Sequence, residues 1–217
     1  MSLIVANDAI ENVRWAHTLT DNTLDEHQYK WMSKYFGTFK FVSPKDIKGE
    51  QWNAQVYCFD SSRWAGIVDG LFERNKDLKV LYGNQRDFFV VYELTVTAPG
   101  YKYKWHRDVS RKAITGVVYF GDKGEGTILK TPEGASQVNW RNNRGLWFGT
   151  HHPDQAANDP SSPWHKFENN SSDLRYTVNI NFTPVQELEA YIDDKKEQFL
   201  HYWIHKKPLW HRMKSDD

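Results

Sequence analysis

Arg175-Tyr176-Thr177-Val178-Asn179-Ile180-Asn181-Phe182 decides the fold class of this 217-residue chain. Polar and apolar residues alternate along it without a break, and on a strand side chains two apart share a face. Arg175, Thr177, Asn179 and Asn181 therefore stand on one face, and Tyr176, Val178, Ile180 and Phe182 on the other. The apolar face needs a cover; the polar face meets either water or a polar cavity. Working back from this stretch, Phe88–Val96 and Ala113–Phe120 are dense in β-branched and aromatic residues. Gly and Asn clusters punctuate the region at Gly83-Asn84, Pro99-Gly100, Gly121 to Gly126, Asn142-Asn143 and Asn169-Asn170. Many short strands at this spacing predict an antiparallel sandwich or barrel such as a jelly roll.

Helical patterns flank the β-rich part. Thr23-Leu24-Asp25-Glu26 offers an N-cap for a helix over Gln28–Tyr35, and Ser61 or Ser62 could cap a second in which Trp64, Ile67, Val68, Leu71 and Phe72 form an apolar stripe. That stripe is a candidate cover for the strand's apolar face. A further helix is expected over 185–205, followed by a basic aromatic tail from His205 to Arg212. With no repeat, linker or composition shift, one domain over 1–217 is the economical reading: a helical part over 1–77, a β core over about 78–183, then the C-terminal helix.

Lys plus Arg and Asp plus Glu both number 28, so the net charge is zero, which argues against a broad electrostatic grip on nucleic acid or on an anionic membrane. The apolar runs are too short to span a bilayer, and the start shows no basic region leading into an apolar one, so neither membrane insertion nor secretion is expected. Cys58 has no partner cysteine in the chain, which fits a reducing cytoplasm. Ten Trp, eleven Tyr and twelve Phe point to a core of bulky rings and an aromatic-lined cavity.

The chemistry-bearing residues are His106-Arg107-Asp108, His165 and Arg175. On a strand, His106 and Asp108 reach one ion together, with Arg107 pointing away, and a distant imidazole completes a two-histidine, one-carboxylate set. Such a set leaves three positions open on octahedral Fe(II). His-x-Asp by itself is common by chance. His151 and His152 compete with His165 for the third place, but they sit in a Pro- and Asp-containing loop, while a turn through Asn169–Ser172 could return the chain as a hairpin from His165 to Arg175. The guanidinium fork of Arg175 suits a planar carboxylate, and Thr177 two residues on can donate a hydroxyl hydrogen bond to the same group. Fe(II) with two neutral imidazoles and one carboxylate keeps one positive charge, and Arg175 adds another. A dicarboxylate that chelates the metal and pairs with Arg175 fits, and 2-oxoglutarate has that form.

The order His-x-Asp, His, then Arg ten residues on with a hydroxyl residue two beyond resembles the Fe(II)/2-oxoglutarate-dependent oxygenases. Gly100 to Asp108 is similar to their prolyl-4-hydroxylase-like branch, with Gly100 six and Tyr103 three residues before His106. Tyr119-Phe120, Gly124-Glu125-Gly126-Thr127 and Gly145-Leu146-Trp147-Phe148 also resemble segments of that branch, over roughly 88–183, although Glu125 interrupts the glycine pair. The resemblance implies a mainly β (α+β) fold, a double-stranded β-helix with helices on its major sheet. It implies His106, Asp108 and His165 as catalytic metal ligands, and Arg175, Thr177 and Tyr103 as contacts of 2-oxoglutarate. Simple alternation groups Tyr103 with Tyr101 and Trp105, away from the metal, so its role requires a bulge. Tyr92 and Tyr119 are further candidates for the cosubstrate, Asn179 is a candidate either for structural hydrogen bonding or for lining the site, and Trp105 and Trp164 are expected to pack in the outer core.

The activity implied is hydroxylation of a C–H bond in a protein side chain, an amino acid or another small molecule. It consumes O2 and 2-oxoglutarate and releases succinate and CO2, with ascorbate as an optional reductant. A zinc-binding hydrolase would also use His and Asp but has no general need of the Arg175–Thr177 clamp. A non-catalytic β-sandwich binding module would leave these residues scattered.

Overall fold

The structure is a computed structural model that describes residues 4–6, 10, 12–36, 51–58, 62–83, 88–109, 111–151, 154, 156, 159 and 161–187. Along the chain run β1 (Ile4–Ala6), β2 (His17–Asp21), α1 (Glu26–Phe36), β3 (Gln51–Cys58), α2 (Ala65–Arg74) and α3 (Lys76–Tyr82). They are followed by β4 (Phe88–Thr97), β5 (Lys102–His106), β6 (Ile114–Phe120), β7 (Ile128–Thr131), β8 (Gly134–Gln137), β9 (Gly145–Gly149), β10 (His165–Glu168) and β11 (Arg175–Pro184). Two antiparallel sheets result. The major one has the order β1-β2-β9-β6-β11-β4-β3 and the minor one β5-β10-β7-β8.

The alternating stretch becomes β11, the strand between β4 and β6, with Val178 opposite Leu94 and Val118. Its apolar face does receive the helices: Tyr176, Val178, Ile180 and Phe182 pack in one cluster with Phe88, Val90, Tyr92, Leu94 and Val96 of β4 and Ile67, Val68, Leu71 and Phe72 of α2. The opposite face of the major sheet looks toward the minor sheet. There a second cluster joins Val117 and Tyr119 of β6 to Leu129 of β7 and Leu146 and Phe148 of β9. Being covered on both sides, β4 is buried along its whole length.

Several expectations need correction. Strand structure begins well before residue 78, because β1, β2 and β3 extend the major sheet at both edges. The period does not change at 78 either: Asn75 accepts a hydrogen bond from the Leu78 amide and starts α3. Asp25 caps α1 by accepting from the Gln28 amide, as the sequence allowed, but α2 lies behind a 3-10 turn (Ser62–Trp64) and has no side-chain cap. The 169–172 turn is not a hairpin, since β10 lies in the minor sheet and β11 in the major one. Asn169 makes this corner. Wholly buried, its Nδ2 donates to the carbonyls of Thr97 and Asp173, its amide to the Tyr101 carbonyl, and its own carbonyl accepts from the Gly100 amide. A two-sheet corner needs such a pin because its backbone groups leave one ladder before joining the next. Val185–Glu187 is a 3-10 turn; the rest of the expected 185–205 helix and the tail lie outside the described residues.

Candidate metal centre

Cross-strand pairing creates the site. His106, the last residue of β5, stands directly opposite His165, the first of β10. Their rings lie 4.1 Å apart, and the Phe148 ring backs His165 at 4.8 Å. Asp108 stands two residues beyond the end of β5 rather than on the strand, so a separate contact must fix it: the Thr115 hydroxyl, from β6, donates to Asp108 Oδ2. Asp108 Oδ1 lies 3.9 Å from Nε2 of both His106 and His165. One ligand atom from each residue lies within 4.8 Å of the others, a spacing that could hold a metal ion.

The tautomers suit that role. His106 Nδ1 lies 3.0 Å from the Lys104 carbonyl and His165 Nδ1 2.9 Å from the Pro163 carbonyl. A carbonyl only accepts, so each Nδ1 carries the hydrogen and each Nε2 presents its lone pair toward Asp108. Burial, with His165 adding to it, pushes His106 down to about 4 despite the opposing pull of Asp108. Burial alone would raise Asp108, but Lys112, His165 and the Thr115 hydroxyl outweigh it and hold the carboxyl far below its usual range. Near neutrality the centre therefore offers a neutral imidazole at His106 and an ionised carboxylate. His106, Asp108 and His165 would hold Fe(II) without first losing a proton from His106 or Asp108.

A cavity of about 410 Å³ opens beside these residues. Arg175 reaches it from the start of β11. It is buried, with its guanidinium 4.8 Å from the Phe167 ring, 5.7 Å from Trp140 and 6.0 Å from Tyr119, and its Nε donates to the Glu125 carbonyl at 2.8 Å. Among the described residues no partner takes the two terminal nitrogens, so the fork faces the cavity. Burial lowers the group to about 10, which leaves it cationic at neutral pH. The close pass of Gly126 beneath Val138 helps shape this end, because a Cβ there would come within 1.9 Å of the Val138 carbonyl oxygen.

Tyr103 shares the cavity with His106, against simple alternation. The β5–β10 register advances three residues on β5 (Tyr103 to His106) for two on β10 (Phe167 to His165), a bulge that brings both side chains to one face. Tyr103 stands edge-on to His106 at 4.4 Å and stacks on Phe167 at 5.4 Å. Thr177 is buried on the inward face between Thr95 and Tyr119 but does not line the cavity, whereas Thr127 does. Asn179 lines it and Tyr92 faces the helices, its hydroxyl accepting from Trp64 Nε1. The Tyr119 hydroxyl donates to Thr127 Oγ1 and accepts from the Thr127 amide. His151 is buried outside the metal cluster, and His152 lies outside the described residues. Trp105 and Trp164 do not join either core cluster: Lys166 lies over Trp105, and Arg107 and Lys130 over Trp164.

Sequence reasoning passed over Glu93, Lys112, Thr115 and Phe167, all in the cavity wall. Glu93 had a visible signal, a lone carboxylate inside an apolar strand, and Phe167 stands two residues from His165. Thr115 had none, because its place depends on pairing with Asn181.

No protein-family model matches the chain, and no match is found among curated protein sequences. Solved structures do match. A prolyl-4-hydroxylase from Pseudomonas putida superposes with a TM-score of 0.50 at 10% identity, over 77% of this chain and 92% of that one. The rice dioxygenase for auxin oxidation gives a TM-score of 0.54 at 10% identity, over 81% and 76%. At such identities the likeness is one of fold, and the chain carries the double-stranded β-helix fold of the Fe(II)/2-oxoglutarate-dependent oxygenases, with a prolyl-4-hydroxylase among its structural matches.

Proposed function

We propose that the chain is a non-haem Fe(II)- and 2-oxoglutarate-dependent oxygenase that hydroxylates a C–H bond of an amino acid, a protein side chain or another small molecule. One observation carries this reading: a facial His106–Asp108–His165 set with both Nε2 lone pairs directed inward, and a buried arginine fork in the same cavity. When bound, Fe(II) and 2-oxoglutarate would supply the oxidising chemistry, coupling decarboxylation to succinate and CO2 with transfer of one oxygen atom of O2. The chain's residues do the rest. His106 and His165 are oriented by the Lys104 and Pro163 carbonyls, and Asp108 by Thr115. Arg175, held by the Glu125 carbonyl and three rings, pairs with the distal carboxylate in a site where few waters compete. Tyr103, Thr127 and Phe167 line the same cavity and would surround that carboxylate. Ascorbate would serve only to return oxidised iron to Fe(II). A reducing cytoplasm suits such an ion; among the described residues no helix is long and apolar enough to cross a membrane.

The test is an anaerobic titration of the apoprotein with Fe(II) and 2-oxoglutarate. A weak visible charge-transfer band is expected, lost in Asp108→Ala and weakened in Arg175→Ala. A well-folded wild-type protein that shows no band and retains zinc tightly would overturn the reading.

A further inference from the structure

Beyond the metal ligands the cavity wall carries three polar groups that are not themselves ligands, although Lys112 also favours the ionised Asp108. Glu93 on β4 and Lys112 before β6 both line it, and among the described residues neither makes a side-chain hydrogen bond or ion pair. Asn181 of β11 is wholly buried in the same wall, and neither its Oδ1 nor its Nδ2 has a partner. Folded proteins pair nearly all such atoms, so this one is capacity held for something else. The placement is also directional. Asn181 lies six residues along β11 from Arg175, roughly 20 Å of strand, and faces Thr115, whose hydroxyl holds Asp108. The three groups thus gather where a substrate, rather than the cosubstrate, would meet the metal.

Charge narrows the class. Asp108 and Glu93 are matched by Lys112 and Arg175, and bound Fe(II) would be matched by dianionic 2-oxoglutarate. Two further cations line the wall: Arg107 donates to Ser162 and lies over Trp164, and the charge of Arg111 bears on Lys112. Glu93 and Lys112 attract each other across the wall without a hydrogen bond or a close ion pair, so each keeps hydrogen-bonding capacity that a zwitterion would fill and an uncharged amide would not. We propose that this end of the cavity is a subsite for a free α-amino acid, its carboxylate on Lys112, its ammonium on Glu93, Asn181 bonding the same head group, and its side chain directed to the metal. The assignment rests on the oxygenase reading and names its substrate class.

The experiment uses protein loaded with Zn(II), which cannot turn over, and 2-oxoglutarate, whose own binding is measured first. Each of the proteinogenic L-amino acids and its N-acetyl carboxamide form is then titrated by calorimetry. At least one free amino acid should bind, its blocked form at least about tenfold more weakly. Glu93→Gln should weaken the free form by about tenfold or more while 2-oxoglutarate affinity holds, and Lys112→Met, which also removes a charge that favours ionised Asp108, should weaken the amino acid by about tenfold more than it weakens 2-oxoglutarate. The charge-balanced double variant leaves the net charge of the wall unchanged, and it too should lose more affinity for the amino acid than for 2-oxoglutarate. Blocked forms that bind as well as free ones would overturn the subsite in favour of a polypeptide. So would protein that binds 2-oxoglutarate but no free amino acid. Failure to bind 2-oxoglutarate at all would remove the oxygenase reading itself, and this subsite with it.

Discussion

The two faces of β11 are equally buried and chemically opposite. Toward the helices, Val178, Ile180 and Phe182 are surrounded by Trp64, Leu71, Phe72 and Phe88; the contacts are dispersive, and the Trp64 indole N–H is satisfied by the Tyr92 hydroxyl. Toward the minor sheet, Arg175 presents an open fork and Asn181 two orphaned polar atoms, with Glu93 and Lys112 nearby. Burial does not tell a core from a site; satisfaction does. One face is complete as folded, and the other becomes complete only with ligands present.

Adjacent residues on opposite faces offer the sharpest way to break this contrast. Phe182→Ala empties space beneath the helices and should cost about 3–5 kcal/mol of unfolding free energy. Asn181→Leu, one residue away, removes the two orphaned atoms and should fall within about 1 kcal/mol of wild type or exceed it. Urea denaturation of both variants decides the matter, and comparable losses would mean that both faces are ordinary core.

Arg175→Met comes next in size. It should lower 2-oxoglutarate affinity by about a hundredfold, the scale of a buried charge-assisted pair, read from a titration of the charge-transfer band. Its urea midpoint should not fall, because the cost of burying the cation exceeds the attraction of Glu125, and an apolar chain takes its place among three rings. A large stability loss with unchanged affinity would make Arg175 a structural residue.

What could be read from sequence follows from the same contrast. The alternation of β11 specified which residues share a face, so the helix cover and the grouping of the polar row were legible before any contact was known, while the choice between water and a cavity for that row was not. Local pattern could not show which strands pair. For that reason 169–172 looked like a hairpin when it crosses between sheets, and Thr115 stayed hidden although it holds Asp108. Tyr103 failed alternation for a similar reason: a bulge is a property of two strands, visible only in the β5–β10 register.

Thr115 supplies a smaller effect on the inward face. Thr115→Val keeps the shape but removes the hydroxyl on Asp108 Oδ2, and should weaken metal affinity by about tenfold in competition with a chelator. An unchanged affinity would show that Asp108 is held in place without this bond.

The smallest effect is a pH dependence that only the inward face should carry. Burial and His165 hold His106 at about 4, below its ordinary value of 6.5. In metal-free protein this imidazole is more readily protonated once the chain unfolds, so between pH 6.5 and about 4 the unfolded state binds more protons and stability falls as the pH is lowered. Above 6.5 the contribution is fully present; below about 4 both states are protonated and the slope from this residue ends. One proton limits that slope to about 1.4 kcal/mol per pH unit. His106→Gln should flatten it, whereas Phe182→Ala should lower the whole curve and leave the slope unchanged. Unfolding measured by urea across pH 4.5–7.5 on metal-free protein separates the two, and equal slopes in wild type and His106→Gln would mean that the His106 imidazole is not buried neutral.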